Sequence, residues 1–374
     1  GLRSISGQDG VTLAAPDGAT VLDTTSGALL ARVPPGGSVR LLRSGDGTRL
    51  YLKHDPRVRA AAVRVVPRRG LLAAGGHRYR GALEVFPAAV GVTVVHPVRL
   101  ETYLEGVVPG EIPRGFALEA QKALAVAART YAIRQLGKHA ADGYDLCDST
   151  HCQRYLGVTR ASPRALQAVR STRGLCVWYG SDLAYTFYSA DCGGSTTAIA
   201  DVPLPDAPAT PVPYLRPVRD RPAGARTDYC QRSPYRSWSA RIAAATIEAA
   251  LNADPATAVG RLTALRFADR DASGRVRTVI AEGRLPAPEG GEQSVQRTLT
   301  GWELRRRIGP TVIRSTLAWI ERLPDGDYRI RGRGYGHGLG LCQIGANGMA
   351  APPYRASFRR ILQHYYPGVR IATE

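Results

Sequence analysis

Four stretches of this 374-residue chain bring chemically capable side chains together at close spacing. The first is VVPGEIP (107–113). There Glu111 stands between Pro109 and Pro113, with Val107, Val108 and Ile112 around it. A rigid apolar setting disfavours the ionised carboxylate and lets the acid deliver a proton near neutral pH. The bland alternative is a helix-start Glu held by the positive end of the following helix dipole, and composition alone favours it. The second stretch is LCDSTHCQRYLG (146–157). It places Cys147, His151 and Cys152 within six residues, with His139 shortly before them. Four Cys and His side chains are the donor set of a structural zinc. A short-loop Cys147–Cys152 disulfide is about equally compatible with the residues alone. The third, YSADCGGST (188–196), follows a strand pattern with Gly193 and Gly194, where backbone can approach a ligand, and offers the hydroxyls of Ser189, Ser195 and Thr196. A GG pair by itself is more often just a turn. The fourth, GRGYGHGLGLCQIGA (332–346), alternates glycines around His337. Its spacing is not that of a dinucleotide fingerprint, and no downstream acid follows in a βαβ unit. It reads as backbone bent tightly around a substrate, although a lone His is more often a packing residue.

The elements that must position these residues are a mixture of strands and helices. Residues 1–66 are short apolar runs broken by QDG, PDG, PPGG and SGDG turn signals, which predicts a β-rich region. Two more strands fit HRYRGALEVF and GVTVVH, and a short helix fits RLETYLEGVV. The clearest helix covers 116–136, where Ala120, Leu124, Ala127 and Tyr131 recur at helical spacing. A second covers 158–172, with Ser162 as N-cap and Pro163 at the first position. Residues 201–236 are Pro-rich and aperiodic, as a long ordered loop or lid would be. Beyond them the pattern predicts a helix over 239–252, a hairpin turning at ASG (272–274), a capped short helix in TGWELRRRIG, and a strand that runs through the glycine-rich loop into a last helix. The expected class is α+β, helices and strands forming a cleft behind a β-rich N-terminal region.

Composition bounds the function. The hydrophobic fraction of 44% supplies a core, and a net charge of +19 favours polyanionic partners. The excess is almost all Arg, scattered, in an Ala/Arg/Pro/Gly-biased chain, so part of it is compositional. No zinc-finger spacing, RNA-binding signature or basic helix points to nucleic acid. No run of about 18 apolar residues could span a membrane.

Taken together and in order, LETYLEGVVPGEIP, EAQKALAVAARTYA, CDSTHCQRYLG, YSADCGGST, YLRPVRD, LTGWELRRRIG and GYGHGLGLCQIGANGMA resemble the stage II sporulation protein D family, which includes the amidase enhancers. The resemblance covers roughly 77–370. It divides the chain into a β-rich module (1–66) and a catalytic domain (67–374) with a Pro-rich loop and hairpin insertion around 201–296. It implies a lytic transglycosylase that cleaves peptidoglycan glycan strands stripped of stem peptides, with Glu111 as the one general acid/base. It also implies that Arg129, Tyr188, Ser189, Gly193, Gly194, His337 and Gln343 line the same cleft and contact the sugar. Through the family's metal-binding version it places zinc on His139, Cys147, His151 and Cys152, slightly ahead of the disulfide. That metal would be structural, because the chemistry needs no cofactor. Cys192 and Cys230 are candidates for a second disulfide. The implied partners are glycan strands and a cell-wall amidase, not nucleic acid. The implied location is extracytoplasmic, in the wall or periplasm, with any membrane anchor on a segment outside this chain. Two departures from the family pattern stand out: Ile112 and Phe116 where bulkier residues are usual, and Cys342 where the family has Ser. The competing readings are a non-catalytic wall-binding or amidase-stimulating protein, and a nucleic-acid binder driven by charge.

Overall fold

The computed structural model describes residues 1–204, 212–287 and 289–373. The chain forms two compact units, residues 1–185 with 371–374, and residues 186–370. The fold class is α+β with strands first. Part of the Pro-rich stretch, residues 205–211, lies outside the described residues.

Unit 1 begins with two antiparallel sheets. Six strands run in the order Asp55–Ala60, Leu50–Leu52, Gly37–Arg43, Gly10–Ala15, Leu71–Ala74, His77–Arg80. Five run in the order Val92–Val95, Leu83–Pro87, Val63–Pro67, Ala19–Asp23, Leu29–Val33. Alternate side chains point inward, as in Gly10–Ala15, where Val11, Leu13 and Ala15 are buried. Position 66, expected as a module boundary, falls inside Val63–Pro67. That strand pairs with Ala19–Asp23 on one side and Leu83–Pro87 on the other. The sheets therefore run on to Val95.

Three helices follow: α1 (Leu100–Glu111), α2 (Leu118–Arg134) and α3 (Pro163–Ser171). Helix α2 packs against α1, α3 and the strand Leu175–Tyr179. A helix covered on every side must be apolar all round. The alanines of α2 meet that need and let its neighbours come close, and Ala123, Ala125, Val126, Ala127 and Ala128 have no exposed surface. Ser162 caps α3, accepting from Ala165 N at 3.3 Å, with Pro163 at N1 as the sequence predicts. The strand Arg370–Thr373 returns beside Leu175–Tyr179.

Unit 2 contains a three-stranded antiparallel sheet of Arg261–Arg270, Val276–Pro286 and Glu292–Thr300. Its first turn lies at the expected ASG. A second sheet pairs Trp238–Ile242, Tyr328–Gly332 and Ala318–Arg322. The helix expected over 239–252 is confined to α4 (Ala244–Asn252), because Trp238–Ile242 has a strand's alternating burial and a strand partner. Helix α5 (Gly301–Ile308) opens with a capping box between Thr300 and Glu303. The glycine-rich loop leads through Leu341–Cys342 into α6 (Gln343–Ala350), and α7 (Phe358–Tyr365) follows. No helix among the described residues is long and apolar enough to cross a membrane.

Candidate functional site

Glu111 is the last residue of α1, so it does not start a helix. The helix continues through Pro109 and closes with Ile112 N donating to Val108 O at 3.2 Å. The negative end of a helix dipole is a poor place for a carboxylate, so helix stability does not explain this residue. Its position is set by close backbone packing. Gly106 and Gly110 lie four residues apart, on one face of α1. A Cβ on Gly106 would come 2.5 Å from Gly157 O, and one on Gly110 would meet Arg154 O. Without side chains at these two positions, segment 154–157 presses onto the helix. Arg154 N then donates to Glu111 Oε1 at 2.5 Å. Gly157 in turn has a φ of 55° and fits against Arg78 O, where a Cβ has no room.

Gly110→Ala tests this packing. Helix propensity alone would stabilise the variant by about 1 kcal/mol. Forcing the Arg154 carbonyl away costs about 1–3 kcal/mol. A lower melting temperature is expected, together with loss of the Arg154 N contact to the Glu111 carboxylate. Unchanged stability, with that contact intact in a structure of the variant, would show that the packing does not place Glu111.

Segment 154–157 leaves directly from the Cys/His loop. The donor atoms of His139, Cys147, His151 and Cys152 all lie within 4.8 Å of one another. Cys152 Sγ is 3.4 Å from His139 Nε2, and His151 Nδ1 is 3.7 Å from both sulfurs. His139 Nδ1 donates to Asp142 Oδ2 at 3.0 Å. Arg3 Nη2 also lies 3.2 Å from this Nδ1; with the Nδ1 proton on the Asp142 side, the Nε2 lone pair is left toward the cluster, the carboxylate–histidine arrangement seen behind zinc ligands. Cys147 and Cys152 are both thiols, with no disulfide between them. A hydrogen bond from Cys152 stabilises the Cys147 thiolate, so Cys147 is pushed down and Cys152 up. The Cys₂His₂ donor set fits zinc. The loop is tied down on its far side by Ser4 Oγ, which donates to Asp148 Oδ2 at 2.6 Å. After it, Gln153 is wholly buried, donating to Ala128 O at 3.2 Å and accepting from Tyr103 Oη at 3.2 Å.

Arg129, expected at the sugar, is a brace. It is 1% exposed, with a two-pronged ion pair to Glu101 at 2.8 and 2.9 Å and bonds to Leu175 O and Val169 O. Its guanidinium is committed to joining α1, α2, α3 and the strand that follows.

In unit 2 the two remaining stretches meet. Tyr188–Ser189 pairs in parallel with Leu341–Cys342, and Asp191 bridges to Tyr335. This brings Tyr188, Ser189, Gly193, His337 and Gln343 into one neighbourhood. Ser189 Oγ is buried without a hydrogen-bond partner. A Cβ on Gly193 would come 2.9 Å from Leu317, and one on Gly194 would come 2.8 Å from Asp228 Oδ2. These glycines therefore make room for protein neighbours. His337 is half-buried and fully engaged: Nε2 donates to Tyr188 O at 3.0 Å and Nδ1 accepts from Leu339 N at 3.0 Å. Burial pushes its imidazole down to about 4, with the charges of Arg305 and Arg275 acting the same way.

Because an unfolded His titrates near about 6.5, the native state binds fewer protons than the unfolded state between there and about 4. Stability is thus expected to fall as pH drops through this window, by on the order of 2 kcal/mol. Denaturation of native protein and His337→Gln at neutral and mildly acid pH reads this directly. An identical acid slope in both would remove His337 from the account.

Sequence reasoning missed Asp142 behind His139, the Gly106/Gly110 face, and the backbone donor of Arg154. It also missed a second cluster in unit 2 formed by Asp191, Cys192, Cys230 and Cys342. Only the glycine spacing gave a local signal.

Comparison with known sequences agrees with the resemblance. The family profile described as "Stage II sporulation protein" matches residues 89–179, from the last strand of the β-rich region through the Cys/His loop and α3. An uncharacterized protein of Brachyspira hyodysenteriae is 29% identical over 79% of this chain and 73% of its own length. The amidase enhancer of Bacillus subtilis is 28% identical over 72% of this chain but only 40% of its own length. Stage II sporulation protein D of the same organism is 27% identical over 74% of this chain and 76% of its length. With its site stretches in family order, the chain is similar to members of the stage II sporulation protein D and amidase-enhancer family.

Proposed function

We propose that the protein acts on the bacterial cell wall as a peptidoglycan lytic transglycosylase, with Glu111 as its general acid/base. The observation that carries this reading is the held carboxylate: Glu111 ends α1, where the dipole disfavours it, and Arg154 N fixes Oε1 at 2.5 Å. Hydrolytic glycosidases generally use two carboxylates. A lytic transglycosylase needs one. The acid form of Glu111 gives its proton to the glycosidic oxygen as the bond to muramic C1 breaks. The resulting carboxylate then takes the proton of the C6 hydroxyl as that oxygen bonds to C1. The acid is regenerated, no water is consumed, and a 1,6-anhydro end forms. One carboxyl serves both steps, so its position must not drift between them. When bound, zinc on His139, Cys147, His151 and Cys152 supplies a cross-link and takes no part in the proton transfers. The unpartnered Ser189 Oγ, with Tyr188, Gly193, Gly194, His337 and Gln343, is the polar neighbourhood that the family resemblance assigns to sugar contacts.

A second reading, stimulation of a wall amidase, is favoured by the similarity to an amidase enhancer. Reducing-end counts separate the readings on peptide-free glycan. A transglycosylase shortens strands without creating reducing ends, a hydrolase creates one per cut, and an amidase stimulator leaves strand length unchanged.

A further inference from the structure

Unit 2 contains a thiol cluster that the proposed function does not use. The donor atoms of Cys192, Cys230, Cys342 and Asp191 lie within 4.8 Å of one another, and all four residues are buried. The cysteines come from three distant parts of the chain, and the pairing of the strand at Tyr188–Ser189 with Leu341–Cys342 brings two of them together. We propose that Asp191, Cys192, Cys230 and Cys342 form a second, structural metal site that holds a thiophilic divalent cation, zinc above all. The proposal is independent of the catalytic reading and of the first metal loop.

Four observations support it. Three sulfurs and one carboxylate oxygen are a closed four-donor set. With Zn–S near 2.3 Å, a tetrahedral site sets its sulfurs about 3.8 Å apart, within reach of the observed spread. Second, Asp191 is 1% exposed, and its two oxygens differ. Oδ1 accepts from Gly193 N at 2.8 Å, while Oδ2 is buried with no hydrogen-bond partner. A buried carboxylate oxygen left unpaired is costly, and a cation among the sulfurs would satisfy it. Third, the surroundings of Cys342 favour its anionic sulfur. Cys342 caps α6, its Sγ accepting from Gly345 N and Cys192 N at 3.3 Å each. The buried guanidinium of Arg275 stands beside the group, donating to Cys192 O at 2.6 Å. Fourth, an outer shell is present: Asp220, wholly buried, accepts from Cys230 N at 3.1 Å and from Tyr365 Oη.

A disulfide explains less. All three cysteines are thiols. Linking any two of them would strand the third and leave Asp191 Oδ2 unpaired. Metal binding replaces three S–H protons, which leave to solvent, with three bonds to the cation, and it oxidises nothing. With every donor buried, the cation would have to enter as the chain folds.

The test is metal stoichiometry on the full chain, purified under reductant, by native mass spectrometry and elemental analysis. Native protein is expected to carry two zinc ions. Cys147→Ser/Cys152→Ser, which disables only the first loop, should keep one, and Cys342→Ser should lose one. Refolding the double variant in cobalt(II) should then give the absorption of thiolate–cobalt charge transfer, so a poorly folding Cys342 variant does not leave the matter open. A double variant that folds without metal and without cobalt absorption would overturn the proposal. So would a Cys192–Cys230 disulfide in peptide maps of the native protein.

Discussion

Glu111→Gln is expected to cut glycan cleavage by 10²-fold or more while leaving the melting temperature and glycan binding within error of native. A positioned general acid/base typically contributes about 10²–10⁴-fold, and here one group serves both proton transfers. Gln keeps the shape of the side chain and can still accept from Arg154 N through its amide oxygen, so α1 should close as before. The effect should therefore fall on kcat. A variant within a few-fold of native activity would remove Glu111 from the chemistry. A variant that unfolds would show that its role is structural.

The second large effect is expected from the Cys/His loop proposed to hold zinc. Cys152→Ala breaks the Cys₂His₂ set two residues before Arg154, whose N–H holds Glu111. Loss of bound metal should lower the melting temperature of the unit by roughly 5 °C or more. Glycan cleavage should fall about tenfold or more, because a misplaced catalytic group is costly even at small displacement. Chelation of native protein should reproduce both changes, and added zinc should reverse them. Full activity in metal-free protein with an intact fold would mean that the loop does not brace the site. Cys147 and Cys152 found oxidised in freshly purified protein would restore the disulfide alternative.

The two predictions rest on parts of the molecule that were unequally legible in sequence. The clustering of His139, Cys147, His151 and Cys152 was readable because the four lie within fourteen positions, so the chain cannot place them far apart. Helix α3 was readable from Ser162 and Pro163, and α5 from Thr300 and Glu303, since caps act within a single turn. The end of α1 was not. Pro109 looks like a terminator, yet the helix runs on to Glu111 because Gly106 and Gly110 admit a segment some fifty residues downstream. Arg129 has the composition of a ligand contact and the position of a brace, and only its own burial and its ion pair with Glu101 separate the two. The thiol cluster of unit 2 has no local spacing at all. Cys342 reads as a one-atom departure from a family Ser until the fold sets it beside Cys192 and Cys230.

The most direct test of the central claim is mass spectrometry of the products from purified peptide-free glycan strands. The account predicts new fragments ending in 1,6-anhydromuramic acid, lighter by one water than the hydrolytic products, from native protein and not from Glu111→Gln. Strands left intact by native protein, or cut only to reducing ends that carry the added water, would contradict it.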